Sequence, residues 1–218
     1  MIGVVIAMQS EADILLNEMK IVRSLTVSGK NVYVGTFQGK NLALCVCGVG
    51  KVNAALGAQL LISKFDAETL LNFGVAGGLN DSTKLCQVYQ ISDAVQFDFD
   101  LTQLNGTKIG TLDEYTENYL ALASCGNEFP CRKLGTSDRF NDSPDDYRLL
   151  TEELNADIRD MEGAAIVQAG YSAQIPVYSV KAISDVAGSG STTEQFLQNR
   201  DKALQNLKLA LPSIFKNL

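Results

Sequence analysis

Apolar and polar positions change period several times along the chain, and each change marks an element. Met1–Ala7 is a short β-branched apolar run and predicts a buried strand. Gln9–Met19 follows with Ala12, Ile14, Leu15, Leu16 and Met19 at helical spacing. Ser10 sits near its start and Glu11 and Asp13 in its first turn, where the helix dipole favours anions. Val27 to Phe37 and Asn41 to Val46 alternate and are punctuated by Ser28-Gly29 and Gln38-Gly39, the pattern of an antiparallel meander. After Gly48-Val49-Gly50 an amphipathic helix is predicted over Lys51–Lys64. A second buried strand, Thr69–Phe73, ends in Gly74-Val75-Ala76-Gly77-Gly78, and Val88–Val95 predicts another.

The second half alternates in the same way. Gln96 to Asp113 is polar and irregular, and Tyr115–Ser124 predicts a helix. Arg132–Thr136 predicts a strand, followed by the polar run Ser137–Ser143. Pro144–Leu154 reads as a helix with Ser143 as N-cap and proline at its first position. Ile158–Met161 is a short strand, Glu162–Ser172 a helix, Val177–Ile183 a buried strand and Thr193–Phe215 a long C-terminal helix. Strands alternating with helices, plus an antiparallel insertion near the start, predict an α/β fold with a mixed, mostly covered sheet. No repeat or linker divides the chain, so residues 1–218 are expected to form a single domain.

Composition narrows the chemistry. With 46% hydrophobic and 20% charged residues the chain has the balance of a soluble globular protein, which excludes disorder for most of its length. The formal charge of −7 argues against nucleic acid or an anionic membrane as partner. There is no histidine, so a His–carboxylate triad, a His general base and a His-ligated zinc are all excluded. Acid–base chemistry falls to Asp, Glu, Lys, Tyr or Cys. The five cysteines (Cys45, Cys47, Cys86, Cys125 and Cys131) are odd in number and lack a CxxC pair, which predicts buried free thiols rather than a disulfide framework. Neither a signal peptide nor an 18-residue apolar segment is legible, and a reducing cytoplasm is the expected compartment.

Three carboxylates stand out by position. Gly48-Val49-Gly50-Lys51 fits neither a P-loop, because Cys45 and Val52 occupy key positions, nor a dinucleotide fingerprint, because Asn53 replaces a glycine and the strands before it suggest no βαβ unit. What remains is a glycine-rich turn that lets a backbone approach a ligand or another strand. Gly74–Gly78 leaves room for a ligand at a strand end, or serves as a tight packed turn. Glu162 begins an Ala-rich helix among small and apolar neighbours, where a partly buried carboxylate needs a partner or a task. Asp185, beside Ser184, ends a strand predicted to be central, where desolvation would raise its pKa; the alternative is a loop or capping role. Glu11 follows the first strand. In an open α/β sheet such strand ends line one crevice. Acids with separated pKa values can cleave a glycosidic bond, one protonating the leaving group and one orienting water, without metal or cofactor.

Seven segments in order resemble the nucleoside phosphorylase/nucleosidase superfamily, and within it the bacterial 5′-methylthioadenosine/S-adenosylhomocysteine nucleosidases. They are Ala7–Glu11, Gly48–Ala55, Asn72–Gly78, Phe97–Thr102, Ser137–Phe140, Met161–Ala165 and Ala182–Asp185. The resemblance implies a three-layer fold with a twisted mixed sheet between helices, a homodimer, and an adenine nucleoside as substrate. It implies that Asp185, oriented by Ser184, protonates purine N7, that Glu11 activates water and that Glu162 binds the ribose hydroxyls. Met8 and Met161 would pack on the sugar, Phe140 would stack on the base, and backbone near Asn141 would read the base edge. Val49, Val75, Ala76, Gly77 and Asp160 complete the implied substrate-binding set. Four departures bear on specificity: Val75 replaces the family's usual Ser, Phe97 a His and Lys181 an Arg, and the stretch after Thr102 lacks the family's Gly- and Pro-containing loop. Three activities follow as alternatives: hydrolysis, phosphorolysis on the same fold, and nucleoside binding without catalysis.

Overall fold

In the computed structural model, which describes residues 1–218, strand β1 (Ile2–Ile6) lies between two parallel neighbours. One is β4 (Lys40–Val46), the last strand of a meander whose other members are β2 (Lys20–Val27) and β3 (Lys30–Phe37). The other is β5 (Thr69–Gly78). Helix α1 (Gln9–Leu16) follows β1, and α2 (Lys51–Phe65) joins β4 to β5. Because β4 and β5 both run parallel to β1, the unit β4–α2–β5 is a crossover of βαβ type, contrary to the expectation for the segment around Gly48.

The remaining strands are β6 (Val88–Gln96), β7 (Leu120–Ala121), β8 (Cys131–Thr136), β9 (Ile158–Asp160) and β10 (Val177–Val186). The ten-stranded sheet runs β10-β6-β8-β9-β5-β1-β4-β3-β2, with β7 off this path and paired to β6, and β10 also pairs with β5. That extra pairing closes β5, β10, β6, β8 and β9 on themselves. One edge of β5 is shared: Thr69–Asn72 pair with β1, and Gly77 and Gly78 pair with β9. The helices after α2 are a single turn α3 (Thr102–Asn105), α4 (Pro144–Arg148) continuing into a π turn over Leu149–Glu153, α5 (Gly163–Ala173) and α6 (Thr192–Lys216).

The layers follow from strand periodicity. On β1, Val5 faces the core shared with Ala54, Ala58 and Leu61 of α2 and Ile166 of α5. Val4 and Ile6 face the opposite core, with Leu15 of α1 and Leu207, Leu211 and Phe215 of α6. This is the predicted mixed α/β fold with helices on both sides of a twisted sheet. No helix is long and apolar enough to cross a membrane.

Several expectations are corrected. Tyr115–Ser124 is not a helix; Leu120 and Ala121 pair with β6 instead. β2 was not foreseen, because an edge strand exposed over most of its length lacks apolar alternation. The predicted helix over Pro144–Leu154 changes to π geometry at Leu149. Gly74–Gly78 is no turn but the continuation of β5, and β10 runs through Ser184 and Asp185. All five thiols are free as expected, but Cys131 is exposed at the start of β8.

Helix α2 approaches the sheet closely at Gly57. A Cβ there would lie 2.7 Å from Cys47 Cβ and 3.4 Å from Val5 Cγ1. Gly57→Ala is therefore expected to cost about 1–3 kcal/mol by overpacking, a fall in melting temperature of about 2–4 °C for each kcal/mol. An unchanged melting curve would show that the helix moves outward freely.

Candidate active site

β1, β5, β9 and β10 all deliver residues to one cleft of about 380 Å³. Ala7 and Met8 follow β1, Val75, Ala76 and Gly77 lie on β5, Asp160 ends β9, and Ser184 and Asp185 lie on β10. Glu11 enters from α1, Val49 from the turn before α2, and Met161 and Glu162 from the start of α5. The three carboxylates of the strand-end argument thus share one cleft, although Asp185 lies within its strand rather than beyond it.

Glu11 is held by backbone. Its Oε1 accepts from the Val75 N–H at 2.9 Å and its Oε2 from the Met8 N–H at 3.1 Å. A Cβ on Gly74 would collide with Glu11 Oε1, so glycine at that position is what admits the carboxylate. Burial raises the pKa of Glu11, while the Val75 hydrogen bond and the Lys181 charge act in the opposite direction.

Glu162 precedes the first turn of α5, and its Oε1 accepts from the Gly50 N–H at 2.9 Å. Gly50 has φ = 101°, a conformation suited to glycine, so the Gly48–Gly50 turn is built to hold this acid. Burial, and next the negative charge of Asp160, push Glu162 up to about 7.

Asp160 is wholly engaged within the protein. It accepts from Thr136 Oγ1 at 2.6 Å and from the Gly163 N–H at 2.9 Å, and it pairs with Lys181 Nζ at 2.8 Å. Both side chains of that ion pair are 2% exposed. Burial opposes the Lys181 charge, but Asp160 and Glu162 outweigh it and hold the ammonium above its ordinary pKa. Asp160 lines the cleft as an internal counter-ion, with its oxygens already occupied.

Asp185 stands apart from this cluster. The β5–β10 register slips between Ile183 and Asp185, so Ser184 forms a bulge that re-aims both side chains. Ser184 Oγ donates to Asp185 Oδ2 at 2.8 Å, which orients the carboxyl. Burial raises the Asp185 pKa, partly offset by that hydrogen bond and by the nearby Arg159 charge.

Phe140 extends over the cleft, half-exposed, with its ring edge-on to Phe196 of α6 at 5.9 Å. Its segment is anchored by Asp138, which accepts from the Lys51 N–H at 2.7 Å and donates its own N–H to Asp98, itself paired with Lys51 Nζ at 2.5 Å. Asn141 is not brought into the cleft wall. Its side chain donates to Asp146 and its carbonyl accepts from Arg159. Phe97 packs into a small core with Leu79, Val95 and Leu150, so the residue at that departure is structural here. Sequence reasoning missed Arg139, Arg159, Thr193, Phe196 and Leu197 among the lining residues. Arg159 carried a signal, since an arginine inside the short strand Ile158–Asp160 must either reach solvent or find a task.

Comparison with known proteins gives the family and the fold. The family described as the phosphorylase superfamily matches residues 1–216. A 5′-methylthioadenosine/S-adenosylhomocysteine nucleosidase from Listeria monocytogenes serotype 4b is 31% identical over 208 residues, covering 88% of each chain. The nucleosidase of that name from Marinomonas sp. is 30% identical over 99% of this chain and 98% of its own. Among solved structures, the nucleosidase from Colwellia psychrerythraea in complex with adenine superposes with a TM-score of 0.90 at 25% identity, covering 99% of this chain and 95% of that one. Futalosine hydrolase of Helicobacter pylori has the same fold, with a TM-score of 0.91 at 22% identity over 100% of this chain and 97% of that one. By the extent of these matches, the chain belongs to the phosphorylase superfamily.

Proposed function

We propose that the protein hydrolyses the N-glycosidic bond of adenine nucleosides with a 5′-thio substituent, of the 5′-methylthioadenosine and S-adenosylhomocysteine type. The observation that carries this reading is one cleft in which three buried acids are held in three different environments. Asp185, its pKa raised and its carboxyl oriented by Ser184, gives a proton to purine N7. The C1′–N9 bond then breaks with its electron pair leaving on the base, and an oxocarbenium-like sugar forms. Glu11, fixed by two backbone donors, takes a proton from the water that adds to C1′. Glu162 accepts hydrogen bonds from the ribose hydroxyls, Met8 and Met161 pack on the sugar, and Phe140 covers the base. Because Glu11, Glu162 and Asp160 surround a single ammonium already paired to Asp160, the cleft favours neutral water over anionic phosphate as nucleophile.

The names of the curated relatives support the 5′-thio group, and the apolar rim at Val49 and Leu197 suits a thioether. Val52 and Leu56, one turn apart on α2 and exposed, are proposed as part of a homodimer contact. The free thiols fit a reducing cytoplasm.

The reaction is tested by chromatography of products from 5′-methylthioadenosine, S-adenosylhomocysteine, 5′-deoxyadenosine and adenosine, with and without phosphate. Adenine and free sugar are expected without phosphate; release only with phosphate would make the protein a phosphorylase. Asp185→Asn should lower kcat by about 10²–10⁴-fold, the range for loss of a general acid, with an unchanged melting temperature. Near wild-type turnover in that variant would remove Asp185 from the mechanism. Glu11→Gln should depress kcat far more than it weakens binding of a substrate analogue; a loss confined to binding would reassign Glu11 to positioning. The pH dependence has a definite sign. Glu11 and Glu162 work ionised and both titrate above the ordinary 4.5, Glu162 at about 7, so kcat/KM should rise with pH across that interval. Loss of the Asp185 proton opposes that rise, and burial moves this loss to higher pH than for an exposed carboxyl. An acidic limb centred at 4.5 or below would contradict the burial argument.

A further inference from the structure

Gly77 is paired on both sides: with Asp185 of β10 on one edge and with Arg159 of β9 on the other. Residues paired directly across neighbouring strands present their side chains to the same face. Glycine at the centre of this row leaves an open slot between a carboxyl and a guanidinium. A Cβ on Gly77 would lie 2.8 Å from Asp185 Oδ1 and 3.2 Å from Arg159 Nε, so both groups border the slot it vacates.

Arg159 is only partly used by the protein. Its Nη1 donates to the Asn141 carbonyl at 2.7 Å, which fixes the plane of the guanidinium. Its Nη2 is buried without a hydrogen-bond partner, and the Asp142 carboxylate stands 3.8 Å away, beyond hydrogen-bond reach. The side chain is 13% exposed and forms the wall between the cleft and an adjoining cavity of about 400 Å³. A mostly buried donor left unsatisfied, on a side chain whose Nε borders the same slot as the proposed acid, is costly unless an acceptor reaches it.

The acceptor follows from purine chemistry. N7 and the substituent at C6 share one edge of the base. With 6-oxopurines both atoms accept, and arginine is the side chain that reads this pair; with adenine the C6 group is a donor. Guanidinium only donates. We infer that Arg159 is a base-specificity residue and that this cleft also accepts 6-oxopurine nucleosides, with Asp185 at N7 and Arg159 at O6. The inference rests on the hydrolase reading for its chemistry, and extends it to the identity of the leaving base.

The test compares 5′-methylthioinosine with 5′-methylthioadenosine on the wild-type protein and on Arg159→Met. Hypoxanthine release with kcat/KM within tenfold of adenine release, or above it, is expected; a larger deficit overturns the inference while leaving adenosine-type hydrolysis intact. Arg159→Met should lose at least tenfold more on the 6-oxo substrate than on the 6-amino one, and equal loss on both would reduce Arg159 to a structural role and overturn the inference. Arg159→Lys, which keeps a donor and a charge, should restore part of the 6-oxo activity if the methionine variant folds poorly; no preferential recovery counts against it. Calorimetric binding of free hypoxanthine and adenine to both proteins reads the same contact without turnover. If neither nucleoside is cleaved, the hydrolase reading fails; hypoxanthine bound at least tenfold more tightly by wild type than by Arg159→Met would still uphold the base contact, and equal or undetectable binding would overturn it.

Discussion

Lys181 and Asp160 meet at 2.8 Å in a place that water does not reach, and Glu11 and Glu162 are close enough for their charges to act on the same ammonium. Burying one ion pair is costly, and burying further carboxylates beside it would be prohibitive without compensation. The compensation is specific. Asp160 receives Thr136 Oγ1 and the Gly163 N–H, Glu11 receives two backbone N–H groups, and Glu162 receives that of Gly50. Charge-assisted bonds of this type are stronger than neutral ones. Removing either partner of the Lys181–Asp160 pair would leave a net charge stranded, so these two residues constrain every element that meets them.

That constraint explains the architecture around the site. Lys181 stands on β10 and Asp160 on β9, two strands that meet only because β5 pairs with both. The closing of these strands with β6 and β8 therefore brings the cation to its acid. Three glycines make the approach feasible. Gly74 vacates the volume that Glu11 enters, Gly50 turns its N–H to Glu162 with a positive φ, and Gly77 opens the gap between Asp185 and Arg159. Each glycine is placed opposite a charged side chain, so backbone shape and site electrostatics are settled by the same residues.

Much of this was legible in the sequence because burial leaves a periodic trace. β1, α2, α6 and the N-terminal parts of β5 and β10 read correctly, since each turns a continuous or amphipathic apolar face to one of two cores. Glu11, Glu162 and Asp185 stood out because each sits just past the end of a predicted strand. What failed was not periodic in that sense. Tyr115, Tyr119 and Leu122 fall at helical spacing, yet the first ring meets Tyr171 edge-on and the Tyr119 hydroxyl donates to the Leu154 carbonyl, while Leu120 joins β6. β2 is an edge strand with one face bare, so nothing forces alternation on it. Arg159 was overlooked because its meaning lies in β5–β9 pairing, a contact between residues 82 positions apart that no local pattern encodes.

The same electrostatics bears on the choice of nucleophile. A phosphate entering near C1′ would meet Glu11 and Glu162, while Lys181 is already paired to Asp160 and Arg139 of the cleft wall to Asp146. The usual remedies are an arginine fork or a nest of free N–H groups. Here the Val75, Met8 and Gly50 N–H groups are directed at the protein's own glutamates, and Val75 supplies no hydroxyl. Arg159 is bound through Nη1 to the Asn141 carbonyl and borders Gly77 together with Asp185, on the base side of the cleft in the proposed pose. In the proposed reaction water, neutral until Glu11 takes its proton, would enter without that penalty. On that proposal, positive charge growing on the sugar as the bond breaks would be stabilised by the acids that would repel phosphate, which is the differential stabilisation that glycosidic cleavage requires.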